Sequence, residues 1–564
     1  MLPGLSDENP RVHRARYIPR RGTLHEGLRN ARARQFSPSR GEKAHQCEPR
    51  QVLSRQARWA RRRRTRRSPV AAGDKLCRVS ATASFLELHP DYAGTSALDE
   101  LRVAEYRRLD SSGHVYLDYT GAGLYADSQI SEHAELLEKE LFGNPHSASP
   151  TSMKTTGAVE RARASVLDYF NGTGNYTAVF TLNASGALKL IGESYPFSPG
   201  GRFLLLADNH NSVNGIREFA RAKGSDVDYV PLTVPELRVD HPALIALLDE
   251  GDRSRANLFA FPAQSNFSGV KHPLSLIGAA QERGWQVLLD AAAFVPTNRL
   301  DLGIVSPDFV VISFYKMFGY PTGVGCLLIR NTAVASLRRP WFAGGTVNFA
   351  TVQGRLHVLA PGEAGFEDGT LNFLGIPAVE IGLRHLERVG MELIQTRVAC
   401  LTERLVSGLL PLRHGNGRHL VRVYGPASMT MRGGTVTMNF YDPSGSLLDY
   451  RRIDELAGLA GISVRTGCFC NPGAGEAAEG LTEDDMRAGF AEGATISLPR
   501  FRQIMQHRGG KSAGAIRVSL GLVSNLADVE RYLQFAAGFL DQSALSIGAV
   551  KFDIESCRVI RDGS

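Results

Sequence analysis

A succession of short, continuous apolar runs between residues 115 and 330 constrains this chain more than any other feature. Val115-Tyr116-Leu117-Asp118, Ala178-Val179-Phe180-Thr181, Phe203-Leu204-Leu205-Leu206, Leu258-Phe259-Ala260-Phe261, Gln286-Val287-Leu288-Leu289-Asp290, Phe309-Val310-Val311-Ile312-Ser313 and Gly325-Cys326-Leu327-Leu328-Ile329 show no polar alternation. Such runs suit strands covered on both faces. Segments with helical spacing, such as 273–283, lie between several of them. The alternation predicts an α/β domain with a mainly parallel sheet. After about residue 375 the pattern changes to a long helix-like stretch over 378–409, strand runs at 421–424 and 435–440, and a last helix over 525–540. The expected organisation is a large domain over 96–375, a small α+β domain over 376–542 and a tail over 543–564.

Charge separates the N-terminus from the rest. Residues 1–80 hold 21 Lys and Arg against 6 Asp and Glu, a net of +15, whereas the remainder carries a net of −7. The basic balance therefore gives the folded body no nucleic-acid character. Residues 1–95 read as a disordered, Arg-rich segment, either without function or serving as an RNA-binding or targeting tail. The 7 cysteines are odd in number and mostly far apart, which implies no disulfide framework and favours a reducing, cytoplasmic compartment. No apolar run approaches the roughly 20 residues needed to span a bilayer.

The chemistry starts with Lys316, just past the run that ends at Ser313. Strand ends are where α/β enzymes place their sites. A lysine among aromatic residues loses hydration, which favours the neutral amine that a Schiff base requires. Asp290 ends another buried run, and a carboxylate there can keep a pyridine nitrogen protonated. Asn183-Ala184-Ser185-Gly186 separates a strand run from a helical run, and its small residues leave backbone N–H groups free to face a phosphate. Taken singly, each has an ordinary reading: a surface lysine, a capping aspartate, a strand-to-helix turn. Arg465-Thr466-Gly467-Cys468-Phe469-Cys470 places two thiols on a turn. A zinc site would want a second cysteine pair, which the sequence lacks.

Several segments occur in one order over roughly residues 110–540: Gly143-Asn144-Pro145-His146-Ser147, Pro262-Ala263-Gln264-Ser265-Asn266-Phe267-Ser268-Gly269, Ser313-Phe314-Tyr315-Lys316-Met317-Phe318-Gly319, Phe366-Glu367-Asp368-Gly369-Thr370 and Arg465-Thr466-Gly467-Cys468-Phe469-Cys470-Asn471. Together they resemble the class V aminotransferases and, more narrowly, the desulfurase domain of molybdenum cofactor sulfurases. The resemblance implies a fold-type I enzyme dependent on pyridoxal 5'-phosphate, with Lys316 as the cofactor lysine, Asp290 at the ring nitrogen and His210 stacked on the ring. It further implies that Asn266 lies near the cofactor oxygen and the substrate, and that Ala184, Ser185 and Ser313 lie at the phosphate. Thr346, in Gly344-Gly345-Thr346, would reach the phosphate from a second subunit, hence a homodimer. Arg517 would clamp the substrate carboxylate, with Arg465 nearby. Cys470 would be the nucleophile that takes sulfur from L-cysteine, leaving alanine and an enzyme persulfide. The implied acceptor is the molybdenum cofactor of a separate protein. A C–S lyase, a selenocysteine lyase or a desulfurase serving another acceptor would use the same residues.

The chain departs from that pattern in three places. Ala293 stands where many cysteine desulfurases carry Gln. Gly475 stands where molybdenum cofactor sulfurases often have a further cysteine. The C-terminal β-barrel of full-length sulfurases has no room before Ser564, so the expectation is one of three: the barrel is a separate protein, the gene is truncated, or the sulfur goes elsewhere.

Overall fold

The computed structural model describes residues 85–548, apart from 492, 494, 495, 497, 509, 510 and 513, together with the backbone of 552, 553, 558 and 559. The Arg-rich segment up to residue 84, and most of the tail beyond 548, lie outside the described residues, so the readings made of them end with the sequence.

The central sheet contains β2 (Tyr176–Thr181), β3 (Arg202–Leu206), β4 (Asp226–Val230), β5 (Leu258–Pro262), β6 (Gln286–Asp290), β7 (Phe309–Ser313) and β8 (Gly325–Arg330). β1 (Val115–Tyr116) lies elsewhere, as described below. The strand order is β2-β8-β7-β6-β5-β3-β4. β8 alone runs antiparallel to both its neighbours; the other pairings are parallel. The unbroken apolar runs have the predicted cause. Leu204, Leu206, Val310 and Ile312 enter one buried core, and Phe203, Leu205, Phe309 and Val311 enter the other, on the opposite face. Each such side chain contributes roughly 1.5–3 kcal/mol by leaving water.

The second sheet holds β11 (Val421–Tyr424), β12 (Thr435–Phe440), β14 (Arg465–Gly467) and β15 (Ala515–Ser519), in the order β11-β12-β15-β14. The hairpin β9 (Val347–Ala350) and β10 (His357–Leu359) stands apart from both sheets. β1 pairs in parallel with β13 (Ile462–Ser463), and Asp118 bridges to Ser519. The N-terminal strand is thereby carried to the C-terminal sheet.

Two element boundaries differ from expectation. Order was expected from near residue 95, yet Phe85 is already buried and a short helix covers Pro90–Ala93. Phe85 packs edge-on to Tyr92, and the guanidinium of Arg397 lies 4.6 Å from the Tyr92 ring, so aromatic contacts tie these residues down. The helix expected over 378–409 is two, α6 (Pro377–Val389) and α7 (Met391–Leu409). Gly390 separates them at φ 87°, a backbone state that interrupts α-helix. The helices numbered before these are α1 (Ala97–Glu105), α2 (Pro150–Tyr169), α3 (Ala184–Ser194), α4 (Asn211–Asn214) and α5 (Phe314–Phe318).

Candidate active site

The C-terminal ends of β5, β6 and β7 open on a cavity of about 460 Å³, together with the N-terminus of α3. Lys316 lies in α5, which begins directly where β7 ends. Gly319 ends that short helix at φ 78°, and a Cβ there would sit 2.4 Å from the Tyr125 nitrogen, so the turn demands glycine. Loss of hydration lowers the Lys316 ammonium below its ordinary range. Asp290 acts against that shift, and the positive charges of Arg517 and Arg465 add to it.

Asp290 is buried and lines the cavity. One of its oxygens accepts the Ala292 N–H at 3.0 Å. His210 precedes α4 and also lines the cavity. Its Nδ1 accepts the Ser212 N–H at 3.1 Å, which leaves the proton of the neutral ring on Nε2. Burial lowers the His210 pKa, with Asp290 opposing and Lys316 assisting. Ala184 and Ser185 occupy the first turn of α3, where Asn183 caps the Gly186 N–H at 2.9 Å. Ser185 and Ser212 share a hydroxyl hydrogen bond of 2.7 Å, and Ser313 lines the same wall. The donors fit pyridoxal 5'-phosphate group by group. The cavity wall holds an amine of lowered pKa, a carboxylate that could keep a ring nitrogen protonated, an imidazole, and hydroxyls at a helix N-terminus that could meet a phosphate.

The cysteine turn docks against this cavity. Phe469 and Cys470 take φ values of 55° and 54°, a left-handed state that costs non-glycine residues roughly 1–2 kcal/mol each. Hydrogen bonds hold the turn there. Asn211 N–H donates to the Cys470 carbonyl at 2.7 Å, and Asn266 Nδ2 donates to the Phe469 carbonyl at 2.8 Å. Asn471 Nδ2 donates to the Asp208 carbonyl at 2.7 Å and to Asn266 Oδ1 at 2.8 Å. The Phe469 ring is buried against Phe267, while the Cys468 and Cys470 thiols are free and exposed.

Arg517, on β15, is 2% exposed. Its Nη1 donates to the Asn266 carbonyl at 3.1 Å, its Nη2 to Asp118 Oδ1 at 3.0 Å, and its Nε has no partner. Burial lowers its pKa, with Asp118 opposing. Arg465, on β14, also pairs with Asp118, at 2.7 Å from Nη2.

Lys316, Asp290, His210, Asn266, Ala184, Ser185 and Ser313 therefore meet at one cavity, with Cys470, Arg465 and Arg517 on elements beside it. Thr346 does not join them within its own chain. It is fully buried, and its Oγ1 accepts the Ala343 N–H and donates to the Ala343 carbonyl. Gly344 and Gly345 form the exposed part of that loop. The sequence reading missed Ser212, Gln264 and Tyr315, which line the cavity, and Asp118, which joins the arginines. Ser212 follows His210 by two residues and could have been found from the helix start. Asp118 ends a predicted strand but signals nothing until Arg465 and Arg517 are brought to it. Among the described residues, no three His, Cys, Asp or Glu side chains gather as a metal site, and no helix is long and apolar enough to cross a membrane.

Comparison with known proteins agrees with this geometry. Molybdenum cofactor sulfurase of Solanum lycopersicum is 38% identical over 469 residues, covering 78% of this chain and 56% of that protein. The Homo sapiens molybdenum cofactor sulfurase is 37% identical over 464 residues, covering 78% of this chain and 51% of its own length. The chain thus spans about half the length of these curated relatives. Among solved structures, a cysteine desulfurase from Thermococcus onnurineus superposes with a TM-score of 0.65 at 22% identity, covering 78% of this chain and 98% of that one. One from Escherichia coli superposes with a TM-score of 0.59 at 18% identity, covering 78% and 99%. These likenesses place the fold in type I of the pyridoxal-phosphate enzymes. The family profile described as Aminotransferase class-V matches residues 115–532, and the chain belongs to the class V aminotransferase family.

Proposed function

We propose that this protein is a pyridoxal-phosphate-dependent desulfurase that converts L-cysteine to L-alanine and stores the sulfur as a persulfide on Cys470. The observation that carries the reading is the docked turn. An exposed thiol on a strained, hydrogen-bonded loop adjoins a cavity built around a lysine of lowered pKa.

The cofactor, when bound, withdraws electrons from the substrate α-carbon and so stabilises negative charge there. The protein's residues do the rest. Lys316 would be the attachment point and, as a neutral amine, the base that moves the α-proton. Asp290 would hold a proton on the ring nitrogen. His210, with its Nδ1 taken by the Ser212 N–H, would present Nε2–H to the bound cofactor. Arg517 would take the substrate carboxylate, a fork-shaped donor on a planar acceptor. The Cys470 thiolate would attack the substrate sulfur. The carbon–sulfur bond breaks with its electron pair passing to carbon, Cβ gains a proton, and alanine leaves Cys470 as a persulfide. The name of the relatives supports the molybdenum cofactor as the sulfur acceptor. Free Cys468 and Cys470 suit a reducing, cytoplasmic setting.

The working unit is read as a homodimer. Trp341, Phe342, Phe349, Val352, Leu356 and Val358 are exposed around the β9–β10 hairpin, next to Gly344 and Gly345. A cluster of this kind is an association surface. A contact from it to the partner's phosphate would come from the Gly344–Gly345 backbone, since the Thr346 hydroxyl is engaged at home.

The test compares purified wild type with Cys470→Ser, assaying alanine and sulfide from L-cysteine under reducing conditions. A yellow wild type whose sulfide release falls at least about 100-fold in the variant is expected, because the nucleophile is lost. Equal release without Cys470 would overturn the persulfide reading in favour of a lyase. A colourless protein inert towards cysteine would overturn the whole proposal.

A further inference from the structure

Arg465 and Arg517 are direct register partners across β14 and β15. Like charges placed opposite each other weaken a sheet unless something neutralises them. Asp118 lies between them. Arg465 Nε donates to Oδ1 at 3.1 Å and to Oδ2 at 2.9 Å, and Arg517 Nη2 donates to Oδ1 at 3.0 Å. The local backbone is shaped for this arrangement. A Cβ on Gly121 would lie 2.5 Å from Asp118 Oδ2 and 2.7 Å from Arg465 Nη2, so a side chain there would displace the pair from this geometry. Phe469, next to Cys470, lies with its ring 4.8 Å from the Arg517 guanidinium. The side chain of Arg465 is half exposed, so burial alone does not require it to have a counter-ion.

We propose that Asp118 is a positioning residue that couples the substrate-carboxylate clamp to the cysteine turn. By anchoring Arg465 it fixes the strand that leads into Cys468-Phe469-Cys470. By cancelling one of two guanidinium charges it leaves a net single positive charge, which one substrate carboxylate neutralises. A carboxylate arriving at Arg517 competes for the donor now given to Oδ1 and leaves Asp118 to Arg465. The substrate half of this inference rests on the desulfurase reading above; the anchoring half does not.

The experiment uses the full chain with Asp118→Asn, Arg465→Gln and the double variant. In cofactor-free protein, backbone amide exchange across β14 and the cysteine turn, residues 465–471, is read by peptide mass spectrometry, with the central strand β6 as the internal control for unfolding. Each single variant is expected to speed exchange across 465–471 at least about five-fold with β6 unchanged. The double variant adds little, as expected of two partners in one interaction. In the loaded enzyme, Asp118→Asn is expected to lower kcat for L-cysteine at least about ten-fold while KM moves by less than about three-fold. Unchanged exchange across 465–471 in Arg465→Gln, which breaks the pair from its exposed side, overturns the anchoring. Faster exchange across 465–471 and β6 together shows a merely structural role and overturns it too. A KM increase at constant kcat overturns the coupling. A wild type without desulfurase activity defeats the functional reading, and the exchange arm still decides the anchoring.

Discussion

Lys316 shows how one side chain acquires its chemistry from its surroundings. Its position after β7 strips it of hydration, which lowers its pKa; the Asp290 carboxylate opposes that shift without reversing it, and the Arg517 and Arg465 guanidiniums add to it. A lysine with a lowered pKa presents more neutral amine at any pH below its ordinary value of 10.5. The rate at which cofactor-free protein turns yellow with pyridoxal phosphate should therefore rise with pH to a plateau whose midpoint lies below 10.5. Spectrophotometric mixing over a pH series measures it, with Lys316→Ala as the colourless control. A midpoint at or above 10.5 would show that burial does not tune this amine. Lys316 and Asp290 were legible as candidates because Asp290 closes one apolar run and Lys316 follows just past the end of another. Asp118 was not, because its partners Arg465 and Arg517 stand more than 340 residues away.

At the scale of elements, the site depends on how β2 and α3 are held to the rest of the sheet. Glu367 does much of this. It accepts from Arg163 Nη1 at 2.7 Å and Nη2 at 3.1 Å, and from the Phe180 N–H at 2.7 Å, tying α2 to β2. Both charged groups are buried, and removing one partner of such a pair costs about 3–5 kcal/mol. Glu367→Ala should therefore lower the urea midpoint of unfolding sharply, and a shift equivalent to less than about 1 kcal/mol would contradict the assignment. The sequence marked Phe366-Glu367-Asp368-Gly369-Thr370 only as part of a resemblance. Its physical task appears once α2 is packed on the sheet. Gly390 is the converse case: apolar spacing runs through it unbroken, so the periodicity joined two helices that one backbone angle separates.

For the whole molecule, the open question is the partner across the β9–β10 hairpin. Replacing Phe349 and Val352 with Asp puts charge on an exposed apolar surface and leaves both sheets untouched. The proposed homodimer should become monomeric in sedimentation velocity, and should lose cofactor on dialysis faster than wild type. A monomeric wild type would remove the reading. Most of the strand plan was legible beforehand, since a parallel sheet covered on both faces imposes short continuous apolar runs. The N-terminal strand was misjudged in its surroundings: Val115 and Tyr116 looked like part of the large sheet and instead pair with Ile462 and Ser463.

What the amino-acid sequence by itself determined is the local inventory. It specifies which segments are buried strands and which residues can bear an amine, a carboxylate, a thiol or a guanidinium. These are set by side-chain chemistry and by repeat distances of a few residues. Tertiary structure alone decided the rest. It set the order of strands in the sheet, the docking of the Cys470 turn on Asn211 and Asn266, and the meeting of Arg465 and Arg517 on Asp118. Those depend on contacts between residues far apart in the chain, and no local pattern of spacing or charge encodes them.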